Sequence, residues 1–220
     1  MKTISIIMRI LLVCVVVTGC STRYINTEWK NQHAYPGNYS RIMVFAIVNG
    51  DDSTYRTELE RHFAESLESI GYPATSSYDE FGIRLRSLDQ GETYKSLCEK
   101  GVDAVLTIAW INKSTERNIL YSGYAKPVEF FFDRIWHYKK DQSLIPLFRN
   151  DSLMKYSWEM ILFDLPTLQP HYVAETKMIE GTFQQTMKDE FWLAMIKKLR
   201  KDRILKRRPP VIKPSDPKAF

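Results

Sequence analysis

Cysteine, histidine and glycine are scarce in this 220-residue chain, with three, four and nine copies. Cys14 and Cys20 fall in the first twenty positions, so Cys98 is the one thiol beyond them and no disulfide framework is available. His33, His62, His137 and His171 stand far apart, with no pair at helical or turn spacing, which speaks against a metal centre; each reads as an ordinary polar or packing residue. No glycine-rich phosphate loop, His-Glu-x-x-His segment or Gly-x-Ser-x-Gly elbow is present, so no catalytic, cofactor or metal site is assigned. Charge is nearly balanced, 31 basic against 26 acidic side chains, too small an excess to imply nucleic acid. The apolar run Ile4–Val17 contains Arg9 and falls short of the ~20 residues needed to span a bilayer.

What that run does fit is a secretory signal. Lys2 and Arg9 supply the positive start, and Val17-Thr18-Gly19-Cys20 places small residues directly before a cysteine. The pattern resembles a bacterial lipoprotein cleavage and acylation site, with Cys20 as the lipidated residue and the cut before it. Cys14 is the poorer choice, because Val13 is too large for the position before a cut. Cleavage removes Lys2 and Arg9 and leaves 29 basic against 26 acidic side chains, a balance of +3 on 201 residues, enough for one domain. Residues 20–40 read as the lipidated cysteine and a tether, since Ser21–Ser40 carries no sustained period and is broken at Pro36-Gly37-Asn38.

The domain is expected over residues 41–208. Arg41–Val48 is a continuous apolar run, the signature of a strand buried on both faces. Asp52 or Ser53 caps a helix whose stripe is Tyr55, Leu59, Phe63, Leu67 and Ile70; Gly71 ends it, and Tyr72–Ser76 restarts as a strand. Ser87–Lys100 predicts a weaker helix, interrupted by Gly91, with Leu88, Tyr94, Leu97 and Cys98 inward; Cys98 is thereby read as a small apolar residue packed on the sheet. Val102–Ile111 follows as a second long strand, parallel to the first.

Beyond Asn112 the strand-like segments 118–124, 128–138, 155–164 and 172–179 alternate polar and apolar residues and predict an antiparallel meander. Thr186–Leu205 predicts a helix with Phe191, Met195, Leu199, Trp192 and Ile196 toward the sheet, and Pro209-Pro210 opens an extended tail over 209–220. The expected fold is α/β (α+β): a mixed sheet with a parallel βαβ core, an antiparallel meander and a C-terminal helix, helices flanking the sheet.

Three features carry candidate contacts. The basic stretch from Lys197 to Arg208, above all Lys206, Arg207 and Arg208, suits anionic headgroups or an acidic wall polymer, although cations also favour a helix C-terminus. Within the aromatic segment Phe130–Tyr138, Phe131, Trp136 and Tyr138 are the candidates for a partner-facing patch, the remainder being core. Asn49-Gly50-Asp51-Asp52 sits where a central strand feeds a helix, a place where two carboxylates can hold a cation, but a turn and cap account for it more simply.

The lipobox Val17–Cys20, the strand Arg41–Val48, the helix ending Ile70-Gly71-Tyr72 and the segment Lys100-Gly101-Val102-Asp103-Ala104-Val105-Leu106 together resemble envelope lipoproteins similar to the TolB amino-terminal domain and to penicillin-binding-protein activators. The resemblance implies a bacterial lipoprotein domain and carries over no catalytic residue. Ser21 after the acylated cysteine resembles the proteobacterial pattern for outer-membrane delivery, here facing the periplasm. The expectation is a non-enzymatic lipoprotein, held to the membrane by its N-terminal lipid, that binds an envelope protein or peptidoglycan and has no nucleic-acid partner. The rivals are an envelope hydrolase with a site of scattered residues and a subunit of a lipoprotein oligomer or secretion assembly.

Overall fold

The computed structural model describes residues 25–31, 37–48, 53–82, 89–112, 155–176, 179–180 and 189–209. Its first element corrects the tether. Ile25–Lys30 is a strand, β1, that pairs antiparallel with β6 (Gln169–Thr176) from Ile25↔Thr176 to Lys30↔Tyr172. Ile25 and Tyr39 are buried, so the folded body begins well before Arg41. The alternation of Ile25 with polar neighbours is too short to register as a period, and the pairing partner lies far along the chain.

The remaining elements are β2 (Ile42–Ile47), α1 (Ser53–Ser69), β3 (Ala74–Ser76), α2 (Ser77–Phe81), α3 (Gln90–Glu99), β4 (Ala104–Asn112), β5 (Lys155–Asp164), β7 (Ile179–Glu180) and α4 (Asp189–Lys201). The strands form one mixed sheet in the order β1-β6-β5-β4-β2-β3, with β7 continuing beside β5. β3, β2 and β4 run parallel, as the βαβ core predicts, and β4, β5 and β6 run antiparallel in line with the expected meander, whose segments 118–124 and 128–138 lie outside the described residues; β1 adds a further antiparallel strand. β2 is buried along its whole length because both faces are covered. Ile42, Val44 and Ala46 meet α1 and α4, whereas Met43, Phe45 and Ile47 meet α2 and α3.

The stripe of α1 lies where its spacing requires, with Leu59, Phe63 and Leu67 fully buried. Across β4 and β5, Trp110 and Trp158 are register partners whose rings stack at 5.9 Å, and Trp192 of α4 meets Trp158 edge-on at 85°. Each such buried aromatic contributes on the order of 2 kcal/mol through the apolar area it removes from water. α3 starts at Gln90, behind a capping box between Asp89 and Glu92, with Gly91 harmlessly in its first turn. Its inward residues are Thr93 and Leu97. Cys98 is exposed, which overturns its reading as a packed residue: it lies one position past Leu97, and the inward face of this helix is too narrow to include it.

The register defines two ends of the sheet. Ile42, Ala74, Ala104, Asp164 and Gln169 lie at the lower end and Asn112 and Tyr156 at the upper end; Ile25 and Thr176 lie near the upper end, one rung beyond the Glu159–Glu175 pair, and Lys30 shares the rung of Tyr172, Leu162, Leu106, Val44 and Ser76, two above the lower end. β1 therefore descends from near the upper end to within two rungs of the lower, and from there Lys30 Nζ donates 2.7 Å to the carbonyl of Asp202 just past the end of α4.

A basic groove as the candidate functional site

α4 is held down by Trp192, Met195, Ile196 and Leu199, all buried, and this fixes what its other face and its C-terminus present. Past Lys201 the chain does not leave the body. Gly37 donates its N–H 3.0 Å to the carbonyl of Ile204, and Tyr72 takes the N–H of Lys206 at 2.8 Å while donating its hydroxyl 3.2 Å to Gly37 O. Residues 202–208 thus run as a strap between the segment 37–39 and the end of α1. Leu205 is buried under the strap, and Lys206 and Arg207 point outward.

Along the strap and the last turns of α4 lies an open groove of about 590 Å3, lined by Lys197, Arg200, Lys201, Arg203, Lys206 and Arg207 around Leu205. Among the described residues no carboxylate lines it. The nearby acid, Asp202, is already engaged: it accepts from Lys198 Nζ at 2.9 Å and from the Tyr172 hydroxyl at 2.6 Å. Six cations around one concavity raise the local concentration of anions, an attraction that salt screens over about 8 Å.

Of the three basic residues singled out from the sequence, Lys206 and Arg207 belong to this groove. Arg208 does not, because its guanidinium lies 4.2 Å over the Tyr72 ring, donates 2.9 Å to Tyr39 O and bonds Asn38 Oδ1. Its charge serves the strap. Cys20, Phe131, Trp136, Tyr138, His33, His137 and the Asn49–Asp52 turn lie outside the described residues. His62 sits on the outer side of α1 beside Glu58 and Glu65. At the lower end, Tyr39 and His171 share a 2.6 Å contact between Oη and Nδ1. Burial pushes the phenol well above its usual range, helped by the charges of Asp164 and Asp103, and burial lowers the imidazole against the opposing pull of Asp164. Both shifts favour a neutral pair in which the hydroxyl donates and the ring nitrogen accepts.

The residue that sequence reasoning passed over is Arg203. α1, α3 and α4 end in one hydrogen-bond pattern: Tyr72 N–H to Leu67 O with Gly71 N–H to Glu68 O; Val102 N–H to Leu97 O with Gly101 N–H to Cys98 O; Ile204 N–H to Leu199 O with Arg203 N–H to Arg200 O. This closure needs one residue with positive φ. Gly71 and Gly101 supply it at 90° and 69°, whereas in α4 Arg203 adopts 60°. The available signal was the missing glycine after Lys201.

Among the described residues, the space beside the upper ends of β2 and β3, where open α/β sheets commonly take ligands, is occupied by the chain's own groups. Glu60, fully buried, accepts at Oε1 from Ala46 N–H, Arg56 Nε and Ser77 Oγ, and at Oε2 from Ser76 Oγ and Tyr78 N–H, all within 2.9 Å. Arg56 also donates to Ser77 Oγ and lies 5.1 Å from the centre of the Phe45 ring. Among the described residues no group of three or more histidine, cysteine or acidic side chains is placed to hold a metal, and no helix is long and apolar enough to cross a membrane.

No family model and no curated protein matches the chain, so the resemblance to TolB and penicillin-binding-protein activators gains no support from them. Among solved structures it is similar to a PelC dodecamer from Paraburkholderia phytofirmans, at 9% identity and a TM-score of 0.40, covering 83% of this chain and 98% of that one. A point-substituted form of the same dodecamer scores 0.40 at 8% identity, over 81% and 97% of the two chains. The lipoprotein GNA1162 from Neisseria meningitidis scores 0.35 at 12% identity, over 75% and 96%.

Proposed function

We propose that the protein is a non-enzymatic lipoprotein of the bacterial envelope, anchored through Cys20 and facing the periplasm from the outer membrane, which binds an acidic envelope component, wall polymer or protein, through the groove at the end of α4. The observation that carries this reading is the set of six cations converging on one concavity with no acid among the described residues that line it. The non-enzymatic part draws on the Glu60 network, whose carboxylate has its acceptor positions taken and is closed off from solvent. The anchor draws on the lipobox and on Ser21 behind it.

Two measurements test the reading. Metabolic labelling with a palmitate analogue is expected to mark the wild type and not Cys20→Ser; an unlabelled wild type removes the anchor. Co-sedimentation with purified peptidoglycan sacculi at low salt is expected to fall when Lys201, Lys206 and Arg207 are changed together to glutamine. Equal sedimentation of the two forms removes the groove.

A further inference from the structure

The groove lies by the lower end of the sheet, whereas the described chain enters it at Ile25, near the upper end. β1 begins at Ile25 on the upper end, and only Ser21–Tyr24 separate Ile25 from Cys20. That leash reaches at most ~18 Å when fully extended. From Ile25↔Thr176 β1 descends four rungs to Lys30↔Tyr172, and the lower end of the sheet lies two rungs beyond, roughly 20 Å from Ile25 in all, with Lys30 reaching the Asp202 carbonyl beside the groove. With the upper end toward the bilayer the leash needs no stretching. With the lower end on the bilayer, Ile25 would stand a strand's length above the surface, and the leash would have to run back fully taut.

A second, independent observation concerns Arg203. A non-glycine residue with φ near 60° is strained by the contact between its Cβ and the neighbouring carbonyl, and the same helix closure is made by glycine in α1 and α3. Arg203 is exposed at this position and lines the groove. Backbone strain kept where glycine would relieve it points to a use for the side chain.

Resting on the lipidated-anchor reading above, we infer that the groove takes up an anionic polymer on the side of the protein turned away from the bilayer that holds Cys20, with Arg203 among its contacts. A carboxylate-bearing polymer matches the groove in charge. It can also thread an open concavity, whereas the headgroups of the anchoring membrane lie at the other end of the sheet.

The test uses the acylated full chain and fluorescent poly-L-glutamate as the probe. In detergent, the protein is expected to bind the probe with an affinity that falls steeply with salt, and Arg203→Gly to weaken binding about fivefold, as expected for one surface cation, with thermal stability equal to or above wild type. Absence of binding in detergent overturns both this inference and the anion-binding reading beneath it. The same protein is then placed in phosphatidylglycerol vesicles with nitroxide-labelled headgroups, carrying a dye at Ser40→Cys, an exposed position at the lower end outside the groove lining, in a Cys98→Ser background. Retained probe binding with an unquenched dye is the expected result. Lost probe binding with a quenched dye means that the groove lies on its own bilayer, and overturns the inference while leaving the anion-binding reading intact. Unaltered affinity in Arg203→Gly overturns the role given to Arg203.

Discussion

Arg208 lays its guanidinium 4.2 Å above the ring of Tyr72, at the point where the C-terminal strap crosses the end of α1. The same arginine donates its backbone N–H 3.1 Å to Ile70 O and a guanidinium N–H to Tyr39 O, so one residue joins the strap to the end of α1 and to the segment 37–39 over the lower end of the sheet. A partly buried cation over an aromatic face contributes about 1 kcal/mol and each charged hydrogen bond about as much again. Arg208→Ala is therefore expected to lower stability by about 2 kcal/mol in urea denaturation, whereas Arg207→Ala, at an exposed neighbour, changes it by less than about 0.5 kcal/mol. Equal effects would mean that the strap is not fixed by this contact.

Glycine exchange at two helix ends should act in opposite directions. At Gly71, with φ of 90°, an added Cβ would lie 2.3 Å from both Arg208 Cβ and Pro209 O. Gly71→Ala is expected to cost more than about 1 kcal/mol and to loosen the strap, which limited proteolysis near Pro209 would register. Arg203→Gly relieves the left-handed strain and is expected to leave stability unchanged or to raise it by up to about 1 kcal/mol.

Removing the Glu60 side chain leaves Arg56 buried without its counter-charge and takes the side-chain acceptor from the Ala46 N–H, while Tyr78 N–H keeps only its bond to Ser76 Oγ. Glu60→Ala is expected to destabilise by about 3–5 kcal/mol. Arg56→Met should cost less, because the carboxylate keeps its two serine and two backbone donors. Thermal melts of the two variants check the order; a milder effect at Glu60 than at Arg56 would contradict the network.

Stability should fall on the acid side of neutrality through His171. The folded state holds its imidazole below the ordinary 6.5 because of burial, so folding favours the neutral ring. Above 6.5 both states are neutral and the full contribution is present. As the pH drops below 6.5 the unfolded chain takes up the proton first, and stability declines until the lowered folded value is passed. Glu80, held below its usual range mainly by the hydrogen bond from Lys100, stays charged over this window. Urea midpoints between about pH 5 and pH 8 are expected to show an acid-side loss that is smaller in His171→Gln; identical pH curves for the two proteins would remove His171 from the account.

The parallel core was legible in the chain because its signals are local. Six consecutive buried residues in β2, a clean stripe in α1 and glycine closures at Gly71 and Gly101 each announce themselves within a dozen positions. β1 was not, since Ile25 and its neighbours become a strand only through β6, some 150 positions away, and the same distance hides the docking of 37–39 against the strap. The groove was half legible. The run of cations from Lys197 onward is plain, but Arg208's withdrawal from it depends on Tyr72, and the conformation of Arg203 depends on how α4 closes. Cys98 was misplaced because one residue along a helix rotates a side chain by ~100° and carries it from the packed face to solvent.

The antiparallel seating of β1 against β6 has a mechanical consequence. A pull applied between the N-terminal end of β1 and the strap beside Lys30 acts along the strand direction, so the ladder from Ile25↔Thr176 to Lys30↔Tyr172 is loaded in shear, its rungs sharing the force instead of opening one after another like a zip.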